Sequence, residues 1–439
     1  MKVKQGTTAT SFPFTASDDV HSAIDRLGRT EDLLFSPDNS RLAIAGMIEN
    51  KILMLDIVIS SGRRKCAVLI TDYLEITSAA FSHPHGLFWI DNQTLIVANR
   101  NGEVPILEIP TVKPKSKVAE VTPLETIRAN SIDMLQSPGS VSVSEIGMDL
   151  HEVLVCNNYA HYVTRHILDQ RNDFSVRGSS KLLSEGLDIP DSVAHSHCGR
   201  WIAVSNHNRH NVFMYENTSA LNTSCKPCGT LEGVNYPHGV RFTKDNRYIL
   251  VADAGAPFIH IYSSEDDNWS GQRHPVETIR VMDDDIFSRG HRNPEEGGPK
   301  GIALSDDSNI LVASCEEQPI VFIDLRETLQ VLDKRIPKSP RPSKRGGQAE
   351  RTRAVLLSHL DGLVQANTHT QIELESSRKK LAIIEETNSE LKKLAEIREN
   401  EIQRLLDKTL ESKLHRIGST IRSLLRFQKL SGRAKFLKH

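Results

Sequence analysis

The sequence predicts an all-β six-bladed propeller followed by a long α-helix. Three observations carry that expectation: a short β-rich pattern that recurs six times, a basic Pro/Gly break after it, and a leucine-spaced helical run beyond the break. The 439 residues are 38% hydrophobic, 25% charged and 5% aromatic, enough for a large core and too apolar for general disorder. A formal charge of −2 conceals two unlike halves, since residues 1–332 hold 30 basic and 43 acidic side chains while 333–439 hold 24 and 13. The first half therefore offers no excess of positive charge to a polyanion. No run of 18 apolar residues occurs and residues 1–18 are polar, so the expectation is a soluble, cytoplasmic protein without a membrane span or secretory leader. Six sparse cysteines, Cys66, Cys156, Cys198, Cys225, Cys228 and Cys315, do not suggest a disulfide framework.

Taken in order, residues 1–29 form an N-terminal segment in which Ser11–Phe14 is a candidate ring-closing strand. Residues 30–332 carry the repeats. The clearest copy is Pro237-His238-Gly239-Val240 with Phe242, the turn Lys244-Asp245-Asn246, then Tyr248–Asp253 and Phe258–Tyr262. Copies on the same plan begin at Thr30-Glu31-Asp32, Pro84-His85-Gly86, Pro138-Gly139-Ser140, Pro190-Asp191-Ser192 and Pro299-Lys300-Gly301. Equivalent positions 31, 85, 139, 191, 238 and 300 are separated by 54, 54, 52, 47 and 62 residues, close to the length of a four-stranded blade with variable loops. Runs such as Ile249–Ala252 and Ile310–Ala313 are short, β-rich and bounded by turn residues, which excludes helical solenoids. Their continuous apolarity fits inner strands covered on both faces by neighbouring blades.

The pattern resembles the six-bladed β-propellers of the NHL and YVTN-repeat type, through Pro-His-Gly-Val…Val-Ala-Asp (237–253) and Phe-Ser-Pro-Asp-Asn-Ser-Arg-Leu-Ala (35–43). That superfamily includes lactonases, lyases and pure binding modules, so the resemblance implies a fold and leaves the chemistry open.

In such a fold the loops entering the first strands and leaving the second strands share one face. The entering ring is Glu31, His85, Gly139, Asp191, His238 and Lys300; the leaving ring is Gly46, Asn99, Asn157, Asn206, Asp253 and Ser314. These are expected to line a polar channel mouth, although turns favour Gly, Asn, Asp and Ser for backbone reasons alone. Glu31, His85, Asp191 and His238 are the candidate ligands of a divalent metal, the one cofactor the residues suggest. The resemblance implies a metal ring of this kind in two ways: lactonase-like relatives use a Glu of the first blade, matching Glu31, and lyase-like relatives use Pro-His-Gly histidines, matching His85 and His238. No Asn in the entering ring and no third such histidine complete either set. Cys225-Lys226-Pro227-Cys228 with His207 and His210 has zinc-like spacing, but the two pairs fall at opposite ends of blade four. His195 and His197 read as surface or packing residues. No GxSxG, phosphate-loop or HExxH motif occurs.

Residues 333–353, with eight basic side chains among Pro and Gly, read as a flexible linker. Residues 354–428 read as a helical coiled-coil region. Leu374, Leu381, Ile384, Asn388 and Leu391, then Leu410, Leu414, Ile417, Ile421 and Leu424, follow heptad steps, with a stutter through Ile402, Leu406 and Leu410. Such a stripe predicts self-association, with Asn388 favouring a dimer; a hairpin folded on itself is the alternative. Residues 429–439 end a basic amphipathic stretch that could meet an anionic membrane surface or a partner protein, or simply fray in solvent; nucleic acid is disfavoured because no aromatics interleave the charge. Two functions follow from the sequence. One is a non-catalytic binding or scaffolding propeller, oligomerised by a coiled coil and presenting its polar channel face to a protein or small ligand. The alternative is a metal-dependent, lactonase-like hydrolase or lyase using the central mouth, with Lys300 or Asp253 as acid or base.

Overall fold

A computed structural model describes residues 10–62, 66–129, 134–336, 388–389 and 391–426. Six sheets, antiparallel except where short outer strands pair in parallel in blades one and four, stand around a central channel, each beginning with an inner strand: Thr30–Phe35, Pro84–Trp89, Pro138–Gly147, Pro190–His195, Pro237–Phe242 and Ile302–Leu304. Successive inner strands are neighbours, and the last returns to the first, which closes a six-bladed propeller. Closure of the sixth blade is by the N-terminus, since Thr10–Phe12 pairs antiparallel with Val321–Asp324 and supplies its outermost strand. Joining the first and last strands of the propeller in one sheet closes the ring.

The blades stack through six hydrophobic clusters, one in each gap between neighbours. Second strands such as Thr94–Asn99, Trp201–Asn206 and Tyr248–Asp253 are buried at every position, because both of their faces meet another blade. In the long outer strand Cys66–Thr77, inward residues Cys66, Val68 and Ile70 are buried while Ala67, Leu69 and Thr71 are exposed, the alternation of a half-covered strand.

One turn recurs between first and second strands. In Ser36–Asn39, Thr243–Asn246 and Ser305–Ser308 the hydroxyl of the first residue donates to the carboxylate two positions on, and the fourth residue takes a left-handed φ of 57°, 61° and 57°. The fourth side chain then reaches sideways: Asn39 Oδ1 accepts from Asp306 N, and Ser308 Oγ accepts from Lys244 N. The repeated Asp-Asn turn thus ties blades together as well as reversing the chain.

Three helices were not legible beforehand. Asp18–Asp25 buries Val20, Ala23 and Ile24 against the first and sixth blades, and Asp284–Gly290 follows blade five. Arg326–Arg335 continues past position 332, so Asp333–Arg335 finish a helix instead of opening the linker. The cause is anchorage: Asp333 pairs with Arg247 and accepts from Tyr248 Oη at 2.9 Å, while Arg247 Nη2 donates to the Ile336 carbonyl at 2.7 Å. Linker residues 337–353, and Leu374, Leu381 and Ile384, lie outside the described residues.

The chain divides into two units, Met1–Gly362 and Leu363–His439. In the second, residues 391–426 are one continuous helix, about 54 Å at 1.5 Å per residue. Its apolar residues, from Leu391 through Leu410, Leu414, Ile417 and Ile421 to Leu425, are each more than half exposed. No helix among the described residues is long and apolar enough to cross a membrane.

Candidate functional site: a charged channel mouth

Five of the six inner strands start with an irregularity. The pairing register slips at Thr30/Leu33, Pro84/Gly86, Pro138/Ser140, Pro190/Val193 and Pro237/Val240, so the Pro-x-Gly signature is a β-bulge that re-aims its middle residue. Glycine at the third position lets neighbouring backbones touch around the channel. A Cβ on Gly86 would lie 2.6 Å from Ser140 Cα, and one on Gly301 would lie 2.7 Å from Asp32 Cα. Where the third residue keeps a side chain, that side chain accepts from the next blade's backbone: Leu87 N donates to Asp32 Oδ2 at 3.1 Å and Val240 N to Ser192 Oγ at 3.2 Å.

The middle residues Glu31, His85, Asp191, His238 and Lys300 converge, all buried. His238 Nε2 lies 3.1 Å from Asp191 Oδ2 and 3.6 Å from Glu31 Oε2; His85 Nε2 lies 3.5 Å from Glu31 Oε2; Lys300 Nζ lies 3.4 Å from the same oxygen. The two imidazoles stack with centroids 5.6 Å apart. Gly139 has no side chain to contribute, but its carbonyl faces His85 Nδ1 at 2.6 Å. Because that carbonyl can only accept, Nδ1 carries the proton and Nε2 presents a bare lone pair, to which Arg100 Nη2 donates at 2.9 Å.

Four of the six leaving-ring residues are engaged by backbone instead of by the mouth. Asn99, Asn157, Asn206 and Asp253 are latches: their carboxamide or carboxylate oxygens accept from the backbone N–H of Ser82, Gln136, Asp188 and Asn235, at 3.1, 2.6, 2.6 and 2.9 Å. Each donor lies two residues before the proline of the same blade. Asp253 is further held by Gly255 N and by His260 Nε2. Asn206→Ala would remove the acceptor of the Asp188 amide and is expected to cost about 1–2 kcal/mol in urea denaturation, with Asn206→Asp retaining most of the stability.

The groups that do reach the mouth stand one position later, because successive strand residues point to opposite sides. Arg100, Asn158 and His207 follow the three asparagine latches, and all three face Asp191. Arg100 Nη2 is 3.7 Å from Asp191 Oδ1, Asn158 Nδ2 donates to the same oxygen, and His207 Nδ1 is 3.8 Å from Oδ2. Two further groups come from loops. Arg29 pairs with Glu31, and Glu296 lies 3.0 Å from Lys300 Nζ and 3.8 Å from His207 Nε2. The Glu296 loop is pressed onto blade five, where Gly297 N and Gly298 N both donate to the Ala254 carbonyl. A Cβ on Gly298 would fall 2.2 Å from the Ala256 carbonyl oxygen, so that position admits only glycine.

The electrostatics follow from this packing. For His85, burial and then Arg100 disfavour the imidazolium and lower its pKa to about 3, leaving a neutral ring. For its stacked partner His238, burial acts the same way but Asp191 and Glu31 outweigh it and raise the pKa. Burial alone would raise Glu31, yet Lys300, His238 and Arg29 hold it well below the usual carboxylate range. Asp191 is likewise lowered against its burial, chiefly by His238 and Arg100. Lys300, although buried, is raised by Glu31 and Glu296. Three carboxylates thus face three permanent cations, with the stacked histidines between them.

Among the described residues, Glu31, His85 and His238 form a group whose ligand atoms lie within 4.8 Å of one another. Two imidazole nitrogens and a carboxylate suit zinc by type. The arrangement does not suit an ion, because Arg100 occupies the His85 lone pair and the Lys300 ammonium lies 3.4 Å from the Glu31 carboxylate. Asp191 stands outside the group, paired with His238. Beneath the cluster, Arg241 of blade five reaches across the channel to Asp32 of blade one, with Nη2 2.9 Å from Oδ1, and floors the mouth.

Comparison by sequence finds no matching protein family and no matching curated protein. Among solved structures, a functionally unknown protein from Desulfotomaculum acetoxidans is 14% identical, with a TM-score of 0.43, covering 65% of this chain and 79% of that one. Kuenenia stuttgartiensis hydrazine synthase is also 14% identical, with a TM-score of 0.41, covering 71% of this chain and 97% of that one. What identifies this chain as a propeller is its own closed ring of six sheets.

Proposed function

We propose that this chain is a binding propeller of the NHL/YVTN kind, whose charged mouth takes a small polar ligand without catalysis, and that it is joined to a second copy through the C-terminal helix. The observation that carries the reading is a set of unmet hydrogen bonds. Asn158 Oδ1, Arg100 Nη1 and His207 Nδ1 are buried without a hydrogen-bond partner, and all three belong to this one cluster. Buried polar groups are ordinarily satisfied, so three at one place call for a molecule that both donates and accepts. Balanced charge around them favours a neutral or zwitterionic ligand over a bare ion. Thermal-shift screening with polyols, amino acids and hydroxy acids should find at least one compound that raises the melting temperature of the wild type and not of Arg100→Met or Asn158→Ala. If none stabilises the wild type, the mouth is a structural ion cluster and the binding reading fails.

Support for pairing of copies is the apolar stripe of helix 391–426, exposed along its whole length. Two mouths on one particle would bind a repetitive partner with avidity. Light scattering should give a dimer mass for the full chain and a monomer mass for residues 1–336, an end chosen to keep Asp333 and Ile336 on Arg247. Equal monomer masses would remove the scaffold half of the proposal. A second reading, a metal-dependent hydrolase or lyase, is favoured by the clustering of Glu31, His85 and His238 alone. Metal analysis of the purified protein decides it: a stoichiometric ion lost in His85→Ala would displace the first reading.

A further inference from the structure

The opposite end of the channel holds a different arrangement. Below the Arg241–Asp32 floor the inner strands splay around a chamber of about 390 Å3, within the range of small-molecule sites. Phe35, Trp89, Val143 and Phe242 give it an apolar wall, and Ser142 and His195 stand on that wall together. Ser142 lies in the inner strand of blade three, His195 at the end of the inner strand of blade four, and Glu152 in the second strand of blade three.

These three side chains are linked in series. His195 Nε2 lies 3.2 Å from Glu152 Oε2, and His195 Nδ1 lies 2.9 Å from Ser142 Oγ. Glu152 is fully buried, and its other oxygen is 2.5 Å from Arg165 Nε. Burial would raise this carboxyl, but Arg165 and then the His195 hydrogen bond bring it down to about 2, so it is an anion that can only accept. It therefore fixes the proton on Nε2 and leaves the Nδ1 lone pair turned toward the serine hydroxyl, the relation of acid, base and nucleophile that recurs in hydrolases on unrelated folds. Ser142 Oγ also accepts from His195 N at 3.1 Å, which holds the hydroxyl in register with the ring. A purely structural serine in a β-sheet needs neither the imidazole nor the buried anion behind it.

We propose that Ser142, His195 and Glu152 form a nucleophilic serine site, and that the chamber takes small carboxylic esters with an apolar acyl group. Ser142 Oγ bonds to the acyl carbon as its proton passes to His195 Nδ1. The ester C–O bond then breaks, and the leaving alcohol takes the proton from Nδ1. Water attacks the acyl-serine, giving its proton to Nδ1, and the carboxylic acid departs as Ser142 regains a proton. Glu152 acts throughout as a positioning residue through His195.

The test uses the full chain with a biotinylated fluorophosphonate and with p-nitrophenyl acetate. Expected is a covalent adduct mapped to Ser142 by mass spectrometry, absent in Ser142→Ala, and ester turnover that falls about 100-fold or more in His195→Ala and returns in part with added imidazole. Glu152→Gln should lower kcat with little change in KM, and Glu152→Asp should recover part of it. Mapping needs only the wild type, so a variant that fails to fold does not rescue the idea. A folded wild type that gains no adduct at Ser142, or turnover equal in Ser142→Ala, overturns it.

Discussion

Lys300→Met is expected to destabilise the propeller by about 3 kcal/mol, the low end for breaking a buried ion pair from one side. Lys300 is buried, 3.4 Å from Glu31 and 3.0 Å from Glu296, and replacing it removes the cation that lies directly between two carboxylates, leaving Arg29 paired with both. The loss should be insensitive to salt, because the pairs are shielded from solvent. A partner substitution separates charge from shape. Glu31→Gln together with Lys300→Met should recover more than half of the loss in urea denaturation. If the single variant unfolds at the same urea concentration as the wild type, the cluster does not operate as a coupled set of charges.

Glu152→Gln is expected to cost on the order of 3 kcal/mol at pH 7, and the deficit should shrink as the solution is acidified. The sign follows from linkage. Glu152 is held at about 2 in the folded chain against 4.5 as its ordinary value, so its stabilisation is complete above 4.5 and disappears as pH falls through 2. Glutamine cannot ionise and has no such dependence, while it leaves Arg165 buried beside a neutral amide. Denaturation midpoints of wild type and variant, followed from pH 7 to pH 3.5, should therefore draw closer by somewhat less than half of the gap, since the folded carboxyl is still ionised at pH 3.5. A constant gap across that range would mean that shape, not charge, holds Glu152 in place.

Both predictions depend on residues that the sequence only half disclosed. Glu31, His85, Asp191, His238 and Lys300 were legible as one ring because they share a place in a repeat, and the fold does bring them together. Arg29, Arg100, Asn158, His207 and Glu296 were not singled out for the mouth. A signal for three of them existed: each follows an asparagine at the end of a second strand, and those asparagines recur 17, 21 and 18 residues after the amides they latch. The asparagines themselves were read as mouth residues in error, since pattern alone does not say which of two adjacent residues faces the channel.

What the sequence by itself determined was the number of blades and the exposed stripe of the terminal helix. Both are periodic properties of the chain, written in the spacing of apolar residues and turn signals. What only the tertiary structure decided was which side chains meet. Alternation along a strand has period two, so a single bulged residue turns every following side chain to the other side, and a bulge has no unambiguous sequence mark. Ser142, His195 and Glu152 illustrate the limit: they come from strands of two blades, share no motif, and are brought within 2.9 and 3.2 Å of one another only because adjacent blades stack.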